Sequence, residues 1–156
     1  MLVPALIAIH VVAIVVWIGG VVFVTTVVFP VIMTMEDSME KVIFFQGTER
    51  RFANIAKGSV VVAGVTGVTL LQLEHRWSVL FSWAGIGPTA MLIVWTMFVF
   101  LLLFESAIFK ILFGGSAQHD SKAIFRKLSA AHWVVMLISL MVIALGVYTN
   151  HIWLTK

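Results

Sequence analysis

Four long apolar stretches alternate with shorter polar ones along the chain. The first runs from Leu2 to Pro30 without a single Asp, Glu, Lys or Arg. About 20 apolar residues are enough for a helix to cross the hydrocarbon core of a bilayer, so the pattern predicts transmembrane helices. We expect one domain, residues 1–156, with spans at about 2–32, 52–73, 82–113 and 124–154.

The polar stretches between the spans are short. A loop is expected over 33–51, a small connector over 74–77, and a loop of turn-forming residues over 114–122. Short connections favour antiparallel neighbours. The predicted fold class is therefore all-α, an integral membrane antiparallel four-helix bundle.

Composition supports a membrane location and removes several chemistries. Hydrophobic residues make up 62% of the chain and charged residues only 11%, whereas soluble domains are about 25% charged. The chain has no cysteine, which excludes disulfides, iron–sulfur clusters and covalently attached c-type haem. It carries no hydrolase or nucleotide-binding motif and no pattern typical of nucleic-acid binding.

The positive charges are distributed unevenly between the two predicted sides of the membrane. Eight of the ten Lys and Arg residues fall on one side and two on the other. Because cytoplasmic loops carry the excess of Lys and Arg, both termini should lie on the non-cytoplasmic side. We expect a multi-pass protein of a bacterial-type inner (cytoplasmic) membrane, surrounded by lipid and able to form a homo-oligomer.

His10 is the most informative candidate residue, because it lies within the uncharged first stretch. A titratable side chain in a span is costly without a partner, so it suggests a functional site. Neutral histidine can bind a metal or haem iron through one ring nitrogen and donate a hydrogen bond through the other. Trp17 shares the helical face of His10 and could line the same pocket.

Three other histidines are candidate partners of His10. His151 near the end of span four and His75 in the connector lie at a similar predicted depth, and Arg76 is placed to neutralise a haem propionate. His10 and His151 form the predicted metal-ligand pair. His132 lies about 28 Å from His151 along one helix, so it would serve a deeper or a second site.

Structural interpretations compete with each of these assignments. His10 could simply bond a backbone carbonyl or a threonine of another helix, and His75, His151 and His132 could be ordinary boundary residues. Glu105, an acid within an apolar stretch, is expected to pair with a basic residue, either Lys57, Arg50 or Arg51. Ala63 and Gly67 belong to a stripe of small residues that predicts close helix packing.

The segment His10-x6-Trp17-Ile18-Gly19-Gly20 resembles the first helix of the CopD-like family of small membrane proteins. A more distant similarity links the chain to the HemJ family of haem-linked membrane proteins. The chain also resembles these families at Arg50-Arg51-Phe52, Thr66-Gly67 and Gly146. The resemblance implies a membrane protein that handles copper or b-type haem, with His10 as a ligand.

The leading functional expectation is a membrane-embedded b-type haem protein. It would transfer electrons or perform haem-dependent redox chemistry as an oxidoreductase, with a quinone or another membrane redox partner. The alternatives are a copper-handling protein that uses His10, His75, His151 and methionines of the outer side, and a structural membrane subunit without a cofactor.

Overall fold

The computed structural model describes residues 1–36, 39–113 and 121–154, and side chains are described within these ranges except at 39, 84, 109, 111–113, 121 and 150–154. These residues contain helices and turns but no strand, which confirms the all-α class. The helices are α1 Leu2–Phe23, a π-helical turn Val24–Val28, α2 Phe29–Thr34, α3 Met39–Leu73, α4 Ile86–Phe113 and α5 Ser121–Leu154.

Within the described residues, four helical segments are long and apolar enough to cross a membrane, and many of their exposed side chains are large and apolar. The chain is thus a multi-pass membrane protein by the length and composition of its helices. The four segments are Leu2–Thr34, Glu40–Leu73, Ile86–Ile108 and Lys122–Thr149.

The predicted polar loop over 33–51 is largely helical, which corrects that expectation. α3 begins at Met39 and continues without a break to Leu73. No proline interrupts the stretch, and the fully buried ring of Phe45 anchors its first turns in the core. The third span likewise differs at its start: two short 3-10 turns, Trp77–Phe81 and Trp83–Gly85, precede α4.

Pro30 does not end the first span. The Phe29 N–H bonds to the Val24 carbonyl, five residues back, in the π-helical turn that joins α1 to α2. Pro30 then stands in the first turn of α2, where an N–H has no helical partner anyway. The widened turn therefore carries the helix past a residue that would otherwise break it.

Pairs of contacts show how the helices run past one another. Along α1 and α3, His10 bonds Thr66, and Gly20 lies against the Phe52 ring. Along α3 and α4, Lys57 pairs with Glu105, and the Trp95 indole bonds the Val60 carbonyl. In each pair of helices, the residue with the higher number on one helix contacts the residue with the lower number on the other. α1 is therefore antiparallel to α3 over these residues, and α3 is antiparallel to α4.

The core has two parts, which differ in what fills them. One cluster, centred on Trp17, Val60 and Phe98, occupies the middle of the molecule. The other surrounds Phe29 and Phe45 and lies toward α2; we call it the aromatic cluster. It consists of Val24, Val28, Phe29, Ile32, Phe45 and Phe125.

Candidate functional site

A cavity of about 520 Å³ opens between α1, α3, α4 and α5, near the connector that joins α3 to α4. Its size falls within the range of about 300–1,000 Å³ that is usual for small-molecule and cofactor sites. Most of its lining is apolar. The polar lining groups are few: His10, Trp17, Trp95 and Ser139 in the helices, with Glu74, Arg76 and the Val79–Leu80 backbone toward the connector.

His10 is oriented by α3. Its Nδ1 lies 2.9 Å from the Thr66 hydroxyl oxygen. That hydroxyl has one hydrogen, which it donates to the Val62 carbonyl at 2.7 Å, in a bond shared with the Ala63 carbonyl at 3.2 Å. In the tautomer that carries its hydrogen on Nδ1, the ring donates a hydrogen bond to this hydroxyl oxygen. In a neutral ring this leaves the lone pair on Nε2, the arrangement found in metal-bound histidines.

The wall beside the imidazole is made by a glycine. A Cβ added to Gly67 would lie 3.1 Å from His10 Cε1, closer than nearly all contacts of this kind. Any side chain at this position would press on the ring. The small-residue stripe predicted in span two is thus an interface, since Gly67 faces α1 and Ala63 is buried.

Trp17 lines the cavity and carries a buried, unsatisfied donor. Only 4% of the residue is exposed, and its ring packs edge-to-face on Phe98 with centroids 4.6 Å apart. Among the described residues, its indole Nε1–H has no hydrogen-bond acceptor. A buried donor without a partner costs about 1–3 kcal/mol.

Arg76 lies beyond the end of α3 and lines the cavity together with Glu74. The two side chains are 3.4 Å apart and about one-third exposed. Exposed pairs of this kind contribute about 0–1 kcal/mol. Arg76 is therefore weakly held and can turn toward an acidic group that enters the cavity.

His75 has a different role from the one its position suggested. It is exposed, has a φ of 53°, and does not line the cavity. The Arg76 N–H bonds the Leu71 carbonyl, and the His75 N–H bonds the Gln72 carbonyl. This pair of bonds closes a helix C-terminus around one left-handed residue, usually glycine. His75 thus terminates α3.

His132 lies away from the cavity, against the aromatic cluster. Its Nδ1 is 3.0 Å from the Leu128 carbonyl of its own helix, and its ring stands 4.8 Å from that of Phe29. The backbone of His151 belongs to α5, but its side chain lies outside the described residues. Within the described part of the chain, no three His, Cys, Asp or Glu side chains gather in a group that could hold a metal ion.

The sequence interpretation did not single out Met91 by position. Met91 of α4 lines the cavity through the same helical face as Pro88 and Trp95. The spacing was readable, but methionine is common in apolar helices and the partner helices were unknown. The expected pairing of Glu105 is confirmed, because its Oε2 lies 2.9 Å from Lys57 Nζ.

Comparisons of the chain with protein-family models, with curated proteins and with solved structures find no match. The likeness to CopD-like and HemJ-like proteins therefore stays a prediction that rests on the residues quoted for it. The function must be argued from the cavity itself.

Proposed function

We propose that this chain is a membrane-embedded b-type haem protein that transfers electrons, with His10 Nε2 as an axial ligand. The observation that carries the proposal is that His10, held at Nδ1 by Thr66, lines an apolar cavity of about 520 Å³. Such a ligand, oriented by a second hydrogen bond, is how proteins hold haem iron.

The remaining residues fit the same group. Apolar side chains form most of the cavity wall. At Gly64 and Gly67 the rings of Trp95 and His10 pack close to the backbone of α3. Arg76 lines the cavity toward the connector and is placed to bind a propionate. When bound, haem supplies one-electron redox chemistry that these side chains lack.

A copper-handling function is the second candidate. His10 and Met91 line one cavity, and imidazole and thioether are ligands that Cu(I) accepts. The volume favours haem, because a single ion with two ligands would leave most of the cavity empty. The third interpretation, a structural subunit, gives no role to the cavity that His10 lines.

We further propose an antiparallel four-helix bundle with both termini on the non-cytoplasmic side of a bacterial-type inner membrane. The support is the excess of Lys and Arg in the segments that join spans one to two and three to four. A quinone or another membrane redox partner would then exchange electrons near the connector. Reporter fusions after Lys156 should be active outside the cytoplasm, and activity confined to the cytoplasm would contradict the orientation.

The test of the haem proposal is the cofactor content of protein purified in detergent from haem-replete cells. We expect haem b, with the sharp visible bands of a reduced b-type cytochrome, and iron rather than copper by metal analysis. His10→Ala should lose the haem. His75→Ala is the matched control, since His75 is exposed and outside the cavity lining, and it should keep the haem.

Two outcomes would contradict the proposal. Wild-type protein that contains no haem and does not bind added haemin would exclude the function. A His10→Ala protein with a full complement of haem and an unchanged reduced spectrum would exclude His10 as the ligand. Copper in place of iron would favour the second candidate.

A further inference from the structure

We propose that Met91 is the second axial ligand, so that the iron is held by one histidine and one methionine from α1 and α4. This inference rests on the proposed haem site. It arises from the relative depth of the two residues and from the glycines beside them.

The relevant helices run in the same direction. The residue pairs described for the fold show that α1 is antiparallel to α3 and that α3 is antiparallel to α4. α1 and α4 are therefore parallel. α1 packs mainly on α3, and α4 packs mainly on α5. The two parallel helices therefore face each other across the diagonal of the cavity rather than side by side.

One contact sets the register between them. The rings of Trp17 on α1 and Phe98 on α4 meet at 4.6 Å, which places these two residues at one depth. His10 lies seven residues before Trp17, and Met91 lies seven residues before Phe98. Seven residues are about two helical turns, or roughly 10 Å of rise, and return to nearly the same face. His10 and Met91 thus reach the cavity at matching depth from opposite sides.

Each of the two residues has a glycine next to it on a neighbouring helix. Gly67 of α3 lies against the His10 ring, and Gly146 of α5 lies against Met91. A Cβ added at Gly146 would collide with Met91 Cε and would stand 3.1 Å from its sulfur. The two glycines therefore let the His10 ring and the Met91 side chain pack close to α3 and α5 at the wall of the cavity.

Methionine suits this position chemically. Its side chain is unbranched and flexible, so the thioether that now rests on Gly146 can swing toward the centre of the cavity. Ligation by histidine and methionine raises the reduction potential of haem iron. The inference also fits the third span, which has no histidine to offer.

The experiment compares wild-type protein with Met91→Leu and Met91→His. Near-infrared magnetic circular dichroism of the oxidised wild type should show histidine–methionine ligation directly. Met91→Leu should keep the haem through His10, become five-coordinate, bind carbon monoxide when reduced and have a lower reduction potential. Met91→His should be six-coordinate with the spectrum of two histidine ligands.

The matched control is Met136→Leu. Met136 is buried in the core on α5 and does not line the cavity, so its replacement should leave the ligation spectrum and carbon monoxide binding as in wild type. Haem-loaded wild type without a methionine signature, or Met91→Leu with an unaltered spectrum, would overturn this inference and leave the haem proposal standing. Wild type that binds no haem would overturn both.

Discussion

The two fully described histidines within the spans lie in opposite surroundings. His10 bonds a threonine of another helix and faces a cavity bounded by glycines. His132 bonds the Leu128 carbonyl of its own helix and packs against the ring of Phe29, which is fully buried. One region of the molecule has space beside its histidine, and the other is filled.

The difference shows what turns a histidine in a membrane span into a site. Both rings are partly buried, and both have a hydrogen-bond partner, so neither feature separates them. What separates them is the direction of the bond and the volume beyond it. A bond to another helix fixes the ring across a gap, whereas a bond to the preceding turn with phenylalanine alongside completes a packed core.

The largest difference between the two regions is expected in haem binding when each histidine is replaced by leucine. His10→Leu should abolish haem binding, because leucine has no ligand atom. His132→Leu should keep one haem per chain and change only stability, within the range of about 0.5–3 kcal/mol usual for core substitutions. Haem titration measures the haem bound by each variant, and thermal unfolding measures its stability. Loss of haem in His132→Leu alone would move the site to the aromatic cluster.

The next largest effect is expected on stability, from a substitution within the aromatic cluster. Phe29→Ala should lower the free energy of unfolding by about 3–5 kcal/mol, because a fully buried ring leaves a cavity. The folded fraction should still bind haem, since Phe29 does not line the cavity beside His10. Denaturant unfolding and haem per folded chain report the two quantities separately, and a parallel loss of affinity would show that the regions are coupled.

Thr66→Val tests the bond that orients His10. The variant keeps the shape of the side chain and removes the acceptor of the Nδ1–H. Loss of such a second-shell partner typically lowers affinity about 10–100-fold, and we expect that loss for haem. Thr66→Ser retains the hydroxyl and should bind nearly as wild type. Equal affinities for the valine and serine variants would mean that the bond does not prepare the ligand.

A smaller change, and one that stabilises the protein, is expected from a substitution at His75. A non-glycine residue in the left-handed region costs about 1–2 kcal/mol, and His75 has a φ of 53°. His75→Gly should therefore raise the free energy of unfolding by about 1 kcal/mol and leave the haem spectrum unchanged. A changed spectrum would restore His75 as a ligand.

The sequence predicted those features that depend on local pattern and charge. The four spans followed from hydropathy, the pair of Lys57 with Glu105 followed from the cost of an isolated charge in lipid, and the shared face of His10 and Trp17 followed from helical periodicity. Arg76 was expected at the membrane interface on the side of His10, and it lines the cavity.

Features that depend on helix pairing were not predictable. The role of His75 depends on two backbone bonds at the end of α3, where the sequence offers no glycine to signal the turn. The position of Met91 in the cavity depends on which helix faces α1. Periodicity within one helix does not reveal how the helices pair. The packed state of His132 depends on phenylalanines brought from α2 and other helices.

The most direct test of the account is chemical rescue of the missing ligand. His10→Gly, purified without haem, is titrated with haemin in the presence and absence of free imidazole. We expect no specific binding without imidazole and recovery of a wild-type-like b-type spectrum with it, because the free ring can occupy the space beside Gly67. Wild-type-like haem binding by His10→Gly without imidazole would contradict the central claim.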